Sequence, residues 1–118
     1  MKFYMVKLVH KRTGIVLYKF GITKSYDIMD RFDHTRYPER ARYVDFNISP
    51  IFSLFTDNKT AMDLEEKFLG LYPKIDLNNI LNENYNSRNL TGITEIRLLD
   101  EFQAKCVMSE LYKLKKRK

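Results

Sequence analysis

Apolar and polar residues along this chain fall first into the two-residue period of strands and later into the period of helices. Phe3 to His10 is aromatic and β-branched, holds no Gly or Pro, and ends at the turn-forming Lys11-Arg12-Thr13-Gly14, so it predicts a strand. Ile15 to Ile22 predicts a second strand, and the two should pair as an antiparallel hairpin. Alternation places Tyr4, Val6 and Leu8 on one face of the first strand, and Leu17, Lys19 and Gly21 on one face of the second. Tyr26 to about His34 predicts a first helix, capped by Ser25, with Ile28, Met29 and Phe32 as its apolar stripe.

The segment Arg36 to Tyr43 reads as irregular and carries Arg36, Arg40 and Arg42 with tyrosines between them. That pattern suits gripping phosphates and stacking on bases, and equally an ordinary polar loop whose tyrosines lean on the core. Tyr43 to Thr56 is β-rich, with Pro50 marking a bend, an edge or a bulge. Asp57-Asn58 offers a cap for a second helix that runs to about Leu71, before Pro73. Lys74 to Thr91, rich in Asn, predicts a loop with one short turn, and Ile93 to Arg97 a short edge strand. From Leu98 a final helix shows Leu99, Phe102, Cys106, Val107, Leu111 and Leu114 at helical spacing and runs into a basic tail. The expected fold class is α/β of the α+β kind, a small antiparallel sheet of about three strands flanked by helices.

Composition narrows the classes. At 118 residues the chain makes one domain, because two independent cores would be too small to hold. With 44% hydrophobic residues, a core can form without metal or disulfide staples. The single cysteine, Cys106, excludes an intramolecular disulfide and a multi-thiolate zinc site, and suits a reducing cytoplasm. No signal peptide and no apolar run near the ~18 residues of a membrane span is visible, so no membrane partner is expected. The net charge of +6 is concentrated in Lys113 to Lys118, which carries five of the 21 basic residues; the remainder balances 16 basic against 15 acidic. A basic tail favours polyanions through counterion release, and it is also a common solvated end for a helix.

Two places carry candidate chemistry. The stretch Tyr18 to Arg31 starts as a strand, breaks at Gly21 and restarts as a helix, with Lys19, Thr23 and Lys24 at the break. Backbone N–H groups and cationic side chains at such a corner can face an anion together. In the second helix, Ala61, Leu64, Phe68, Leu69, Leu71 and Tyr72 share one arc, and Glu65 lies in the middle of it. A carboxylate there needs a cation, a metal or hydrogen-bond donors. A structural ion pair with Lys19 or Arg31 accounts for it, as does a role in binding a divalent cation or as a general base. Arg31 likewise has Asp27 four residues before it as a surface partner. His34, one turn further, is as easily a solvent-exposed histidine as a catalytic one.

In this order the motifs resemble those of GIY-YIG nuclease domains, in the phage and bacterial branch that has lysine in place of the second tyrosine. Phe3-Tyr4-Met5-Val6-Lys7 resembles the first motif, with Tyr4 as its tyrosine, and Lys19-Phe20-Gly21 the second, followed by Thr23. Arg31 stands as the family arginine, with His34 near the place of an auxiliary His or Tyr. Ala61-Met62-Asp63-Leu64-Glu65 resembles the helix with the metal-binding Glu, and Gly92-Ile93-Thr94-Glu95-Ile96 the closing Gly-x-Thr-Glu segment. The chain departs from the pattern at Lys2, where the first motif has glycine, in a slightly longer Gly21-to-Arg31 spacing, and at Arg97, where an aromatic is usual. No single residue among Asn84, Asn86 and Asn89 matches the family's late Asn.

The resemblance implies a nuclease domain over residues 1–97, with residues 98–118 forming a C-terminal helix and basic tail packed on it. It implies metal-dependent hydrolysis of phosphodiester bonds, most naturally in DNA. Glu65 would hold Mg²⁺ or Mn²⁺, Arg31 would neutralise phosphoryl charge, and Tyr4 would help deprotonate the attacking water. Lys19 would tune Tyr4 or bind substrate, acting as a base only if burial lowers its own pKa. His34 completes the catalytic candidates, and Gly21 is the motif glycine. The residues expected to meet nucleic acid are Lys24, Arg36, Arg40, Arg42, Lys115, Lys116 and Arg117. The alternative is a weakly active or inactive module on the same fold that binds nucleic acid or a host protein. A second copy, or a host or phage protein, is an expected partner, and the cytoplasm of a bacterial or phage-infected cell the expected setting.

Overall fold

The expected hairpin forms from β1 (Lys2–His10) and β2 (Val16–Thr23). Its register pairs Tyr4 with Gly21, Val6 with Lys19 and Leu8 with Leu17, so the two faces read from alternation are one face of the sheet. In this computed structural model, which describes residues 1–116, β3 (Phe46–Phe55) pairs with the other side of β1, and β4 (Ile96–Arg97) with β2. The sheet is antiparallel throughout, in the order β3-β1-β2-β4, and so has four strands rather than three. Only Ile96–Arg97 of the expected 93–97 strand is extended; Ile93–Glu95 is a 3-10 helix entered through Gly92 at φ 86°. The edge strand β3 has no charged residue along its length, and its register with β1 shifts between Met5 and Val6, where Pro50 interrupts the ladder.

One face of the sheet is covered by α1 (Asn58–Leu71) and α3 (Glu101–Lys116). Phe3, Met5, Phe20, Phe52 and Leu54 pack there against Ala61, Leu64, Phe68, Ala104, Val107 and Leu111. The rings of Phe3, Phe20 and Phe68 stack, with Phe20 and Phe68 centroids 5.7 Å apart. The Asp57 carboxylate accepts from the Thr60 N–H at 2.8 Å, the cap read from the sequence. The last helix begins at Glu101 rather than Leu98, because Asp100 and Gln103 form a reciprocal capping box. Its inward stripe is Ala104, Val107 and Leu111, while Phe102 and Cys106, expected on that stripe, are exposed.

The other face is covered by irregular structure. Tyr4, Val6, Leu8 and Leu17 pack against Ile28, Phe32, Tyr43, Leu77, Leu81, Tyr85 and Leu90. The expected helix from Tyr26 to His34 is only a 3-10 helix, Ile28–Phe32, and its cap is Asp27, which accepts from the Met29 N–H, rather than Ser25. Asp27 and Asp33 explain this, since their carboxylates accept bonds from the backbone N–H groups that follow them and so compete with an α-helical ladder. The segment expected to be irregular contains a second 3-10 helix, Pro38–Asp45, and the Asn-rich loop holds the short α2 (Leu77–Leu81). Among the described residues no helix is long and apolar enough to cross a membrane.

Candidate active site

Tyr4 and Gly21 face one another across the hairpin, and the phenol lies over the glycine. A Cβ on Gly21 would stand 2.9 Å from Tyr4 Cε2 and closer still to Cζ and Oη, so no other residue leaves the ring in place. Lys19 lies two residues before Gly21 and on the same face. Its Nζ donates to Tyr4 Oη at 2.8 Å and to Glu95 Oε2 at 3.1 Å. Gly92 closes over the lysine. A Cβ there would approach Lys19 Cε at 2.8 Å, and its φ of 86° already favours glycine. Phe32 meets the rings of Tyr4 and Tyr43 edge-on, and the Tyr43 hydroxyl donates to the Thr91 carbonyl at 2.6 Å. Tyr4 is 0% and Lys19 2% exposed, so both are sealed beneath this cover.

Burial works against the Lys19 ammonium, but the Tyr4, Tyr43 and Glu95 oxygens outweigh it and hold its pKa above the ordinary lysine value. Lys19 is therefore a fixed cation and not a base. Tyr43, also buried, has its pKa pushed up chiefly by desolvation. Glu95 is a part of this site that sequence reasoning assigned no role. The signal was its place three residues after Gly92, in the Gly-Ile-Thr-Glu segment.

Glu65 comes to the same corner from α1. It is half-buried and makes no hydrogen bond or ion pair with a described residue. Desolvation raises its pKa first and the like charge of Glu95 second, while Lys19 and Arg31 pull it back. Arg31, at the end of the first 3-10 helix, is partly exposed and forms no ion pair among the described residues. The expected Asp27–Arg31 pair is absent, because Asp27 is spent on capping Met29. Tyr4, Lys19, Arg31 and Glu65 are thus linked by hydrogen bonds or by charge. His34 is exposed and takes no part in these contacts.

Among the described residues no group of three or more His, Cys, Asp or Glu could hold a metal. The donor set still fits a hard, water-rich cation such as Mg²⁺, which takes one or two carboxylates. Glu65 is uncompensated by any ion pair, and Glu95 is the second carboxylate acting on it.

The residues expected to meet nucleic acid divide. Lys24, Arg36 and Lys116 are exposed. Arg40 is buried rather than presented: its guanidinium stacks on Tyr37 at 3.9 Å and donates to the Asp30 carbonyl. Arg42 pairs with Asp45 at 2.9 Å and Glu83 at 3.0 Å and lies over the Tyr85 ring. Lys115 reaches the Ser53 carbonyl on the β3 edge at 3.3 Å. Arg117 lies outside the described residues. Arg97, where the resemblance expects an aromatic, is buried and donates to the carbonyls of Leu69, Tyr72, Thr94 and Ile96, tying the end of α1 to β4.

Comparison with known protein families, with curated proteins and with solved structures finds no match to this chain.

Proposed function

We propose that this chain is a metal-dependent phosphodiesterase acting on nucleic acid, most naturally an endonuclease on DNA, as its resemblance to GIY-YIG domains implies. The observation that carries the reading is Glu65, a half-buried carboxylate with no ion pair, facing a partly exposed arginine beside the Tyr4–Lys19–Glu95 chain. Such an uncompensated acid costs stability and is expected where a cation or a reaction needs it. In this reading Glu65 holds Mg²⁺ or Mn²⁺, with Glu95 adding to the negative field around it. Held there by Glu65, such an ion would supply Lewis-acid polarisation of the scissile phosphate. Arg31 faces the phosphoryl oxygens and stabilises the charge that develops on them. Lys19 fixes the orientation of the Tyr4 oxygen, and Tyr4, once it has given up its own proton to solvent, would accept a proton from the attacking water as a phenolate whose charge the Lys19 ammonium offsets. The setting that fits is the cytoplasm of a bacterial or phage-infected cell, with a second copy or another protein supplying targeting.

A second reading has its own support. Tyr4 and Lys19 are sealed from solvent, which suits a domain that keeps the fold and binds nucleic acid or a host protein without cleaving. Incubation of supercoiled plasmid with Mg²⁺, Mn²⁺ or EDTA separates the two. Metal-dependent nicking by wild type, lost by about a hundredfold or more in a folded Glu65→Ala variant, is the expected result. Equal nicking by both removes Glu65 from the reaction, and no nicking by folded wild type leaves the binding reading.

A further inference from the structure

The most exposed aromatic side chains on the candidate site's face of the sheet stand beside the corner, not in it. Tyr26 is 95% and Phe55 76% exposed. Both are organised around Lys2, whose Nζ donates to the Tyr26 carbonyl at 2.6 Å and lies 5.3 Å from the Tyr26 ring centroid. Phe55 is the cross-strand partner of Lys2 on β3, and Thr23 its partner on β2. Cross-strand partners share a face, so Phe55, Lys2 and Thr23 form a row across the end of the sheet. The next row inward on that face is Ser53, Tyr4 and Gly21, two residues or about 7 Å away.

Large aromatic surfaces left in water beside a lysine are what a nucleic-acid strand uses, because every base has a face to stack and every linkage a phosphate to neutralise. Lys24, exposed at the end of β2, adds a second cation. Asp27 and Asp57 nearby keep their charge while capping the helices that follow them, so the aromatic faces rather than net charge distinguish this patch. Phe102, equally exposed, lies on the outer side of α3 and has no such placement.

We infer that Tyr26 and Phe55, with Lys2 between them, form a stacking platform for unpaired bases of the strand whose backbone enters the Tyr4 corner. This rests on the nucleic-acid reading above and deepens it, naming single-stranded or locally unpaired nucleic acid as the substrate class. Duplex bases are already stacked on each other and gain nothing from the platform.

The test uses the full chain in EDTA, so that cleavage plays no part. Fluorescence anisotropy reads binding of a short labelled oligothymidylate and of the same strand annealed to its complement. Wild type is expected to prefer the single strand. Tyr26→Ala with Phe55→Ala should weaken single-strand binding by about tenfold or more and leave duplex binding unchanged. Tyr26→Phe with Phe55→Tyr, which keeps both aromatic faces, should bind like wild type. Lys24→Ala should lower the dependence on salt, whereas the aromatic variants should not. Glu65→Ala should bind at least as tightly as wild type, so loss of the cleavage reading leaves this result standing. Equal single-strand binding by wild type and the double alanine variant overturns the platform, as does a wild-type preference for duplex or the absence of wild-type binding.

Discussion

Gly21 shows how much a single position decides here. The Tyr4 phenol occupies the space a side chain would need, and the ring is held from the other side by Phe32 and at its hydroxyl by Lys19. Gly21→Ala should therefore destabilise the fold by about 1–3 kcal/mol, the usual cost of forcing extra volume into a packed site. A Tyr4→Leu background should recover much of that loss. Urea midpoints over the double-mutant cycle check this, and additive effects would contradict the contact. At this scale the sequence was informative only where a residue contradicted its surroundings. Glu65 stood out because an acid fell on an apolar arc. Arg36, Arg40 and Arg42 looked alike, yet Tyr37, Asp30, Asp45 and Glu83 give them different fates. Tyr37 and Asp45 lie within three residues of the arginines they meet, but Asp30 is 10 and Glu83 41 residues away, and those distant partners are what a local pattern does not show.

At the scale of elements, legibility followed periodicity and caps. The hairpin was readable because alternation and the Thr13-Gly14 turn agree, and α1 because Asp57 precedes a clear apolar arc. Asp57→Ala removes the acceptor for Thr60 N–H and should cost about 1 kcal/mol, seen as a lower urea midpoint with the native circular dichroism spectrum retained. Asp57→Ser should restore most of the loss, since serine also caps. The pattern places a helix around Ile28–Phe32 but not its 3-10 type or its short extent, and leaves Pro38–Asp45 as irregular, because 3-10 geometry lacks the 3.6-residue repeat on which a helical reading depends. The start of α3 escaped for another reason: Leu98 and Leu99 continue its apolar pattern, and only the reciprocal Asp100–Gln103 bonds say where the helix begins.

Across the whole molecule, the far end of the hairpin is tied to the irregular layer by a polar chain no short window contains. His10 Nδ1 accepts from the Thr13 N–H at 3.3 Å, and its Nε2 meets the Tyr85 hydroxyl at 3.3 Å. Tyr85 donates to Asp45 at 2.9 Å, and Asp45 and Glu83 both receive Arg42. Burial, with Arg12 and Arg42 nearby, lowers the His10 pKa against the opposing pull of Asp45 and Glu83. The unfolded chain takes up this proton near the ordinary value of 6.5 while the folded chain resists it, so the contribution is complete above that pH and lost below it. Stability should fall as pH drops from about 7 to about 5, and a folded His10→Gln variant should show a flatter profile over that window. A pH-independent urea midpoint in wild type would contradict the buried neutral imidazole. Solubility depends on a different feature, the uncharged edge of β3. Ten residues without charge would be an inviting template for another copy, but Pro50 has no N–H to offer and Lys115 sits on the Ser53 carbonyl. The register shift at Pro50 bulges this edge midway, so a strand arriving from outside would meet an irregular ladder where no charge guards it.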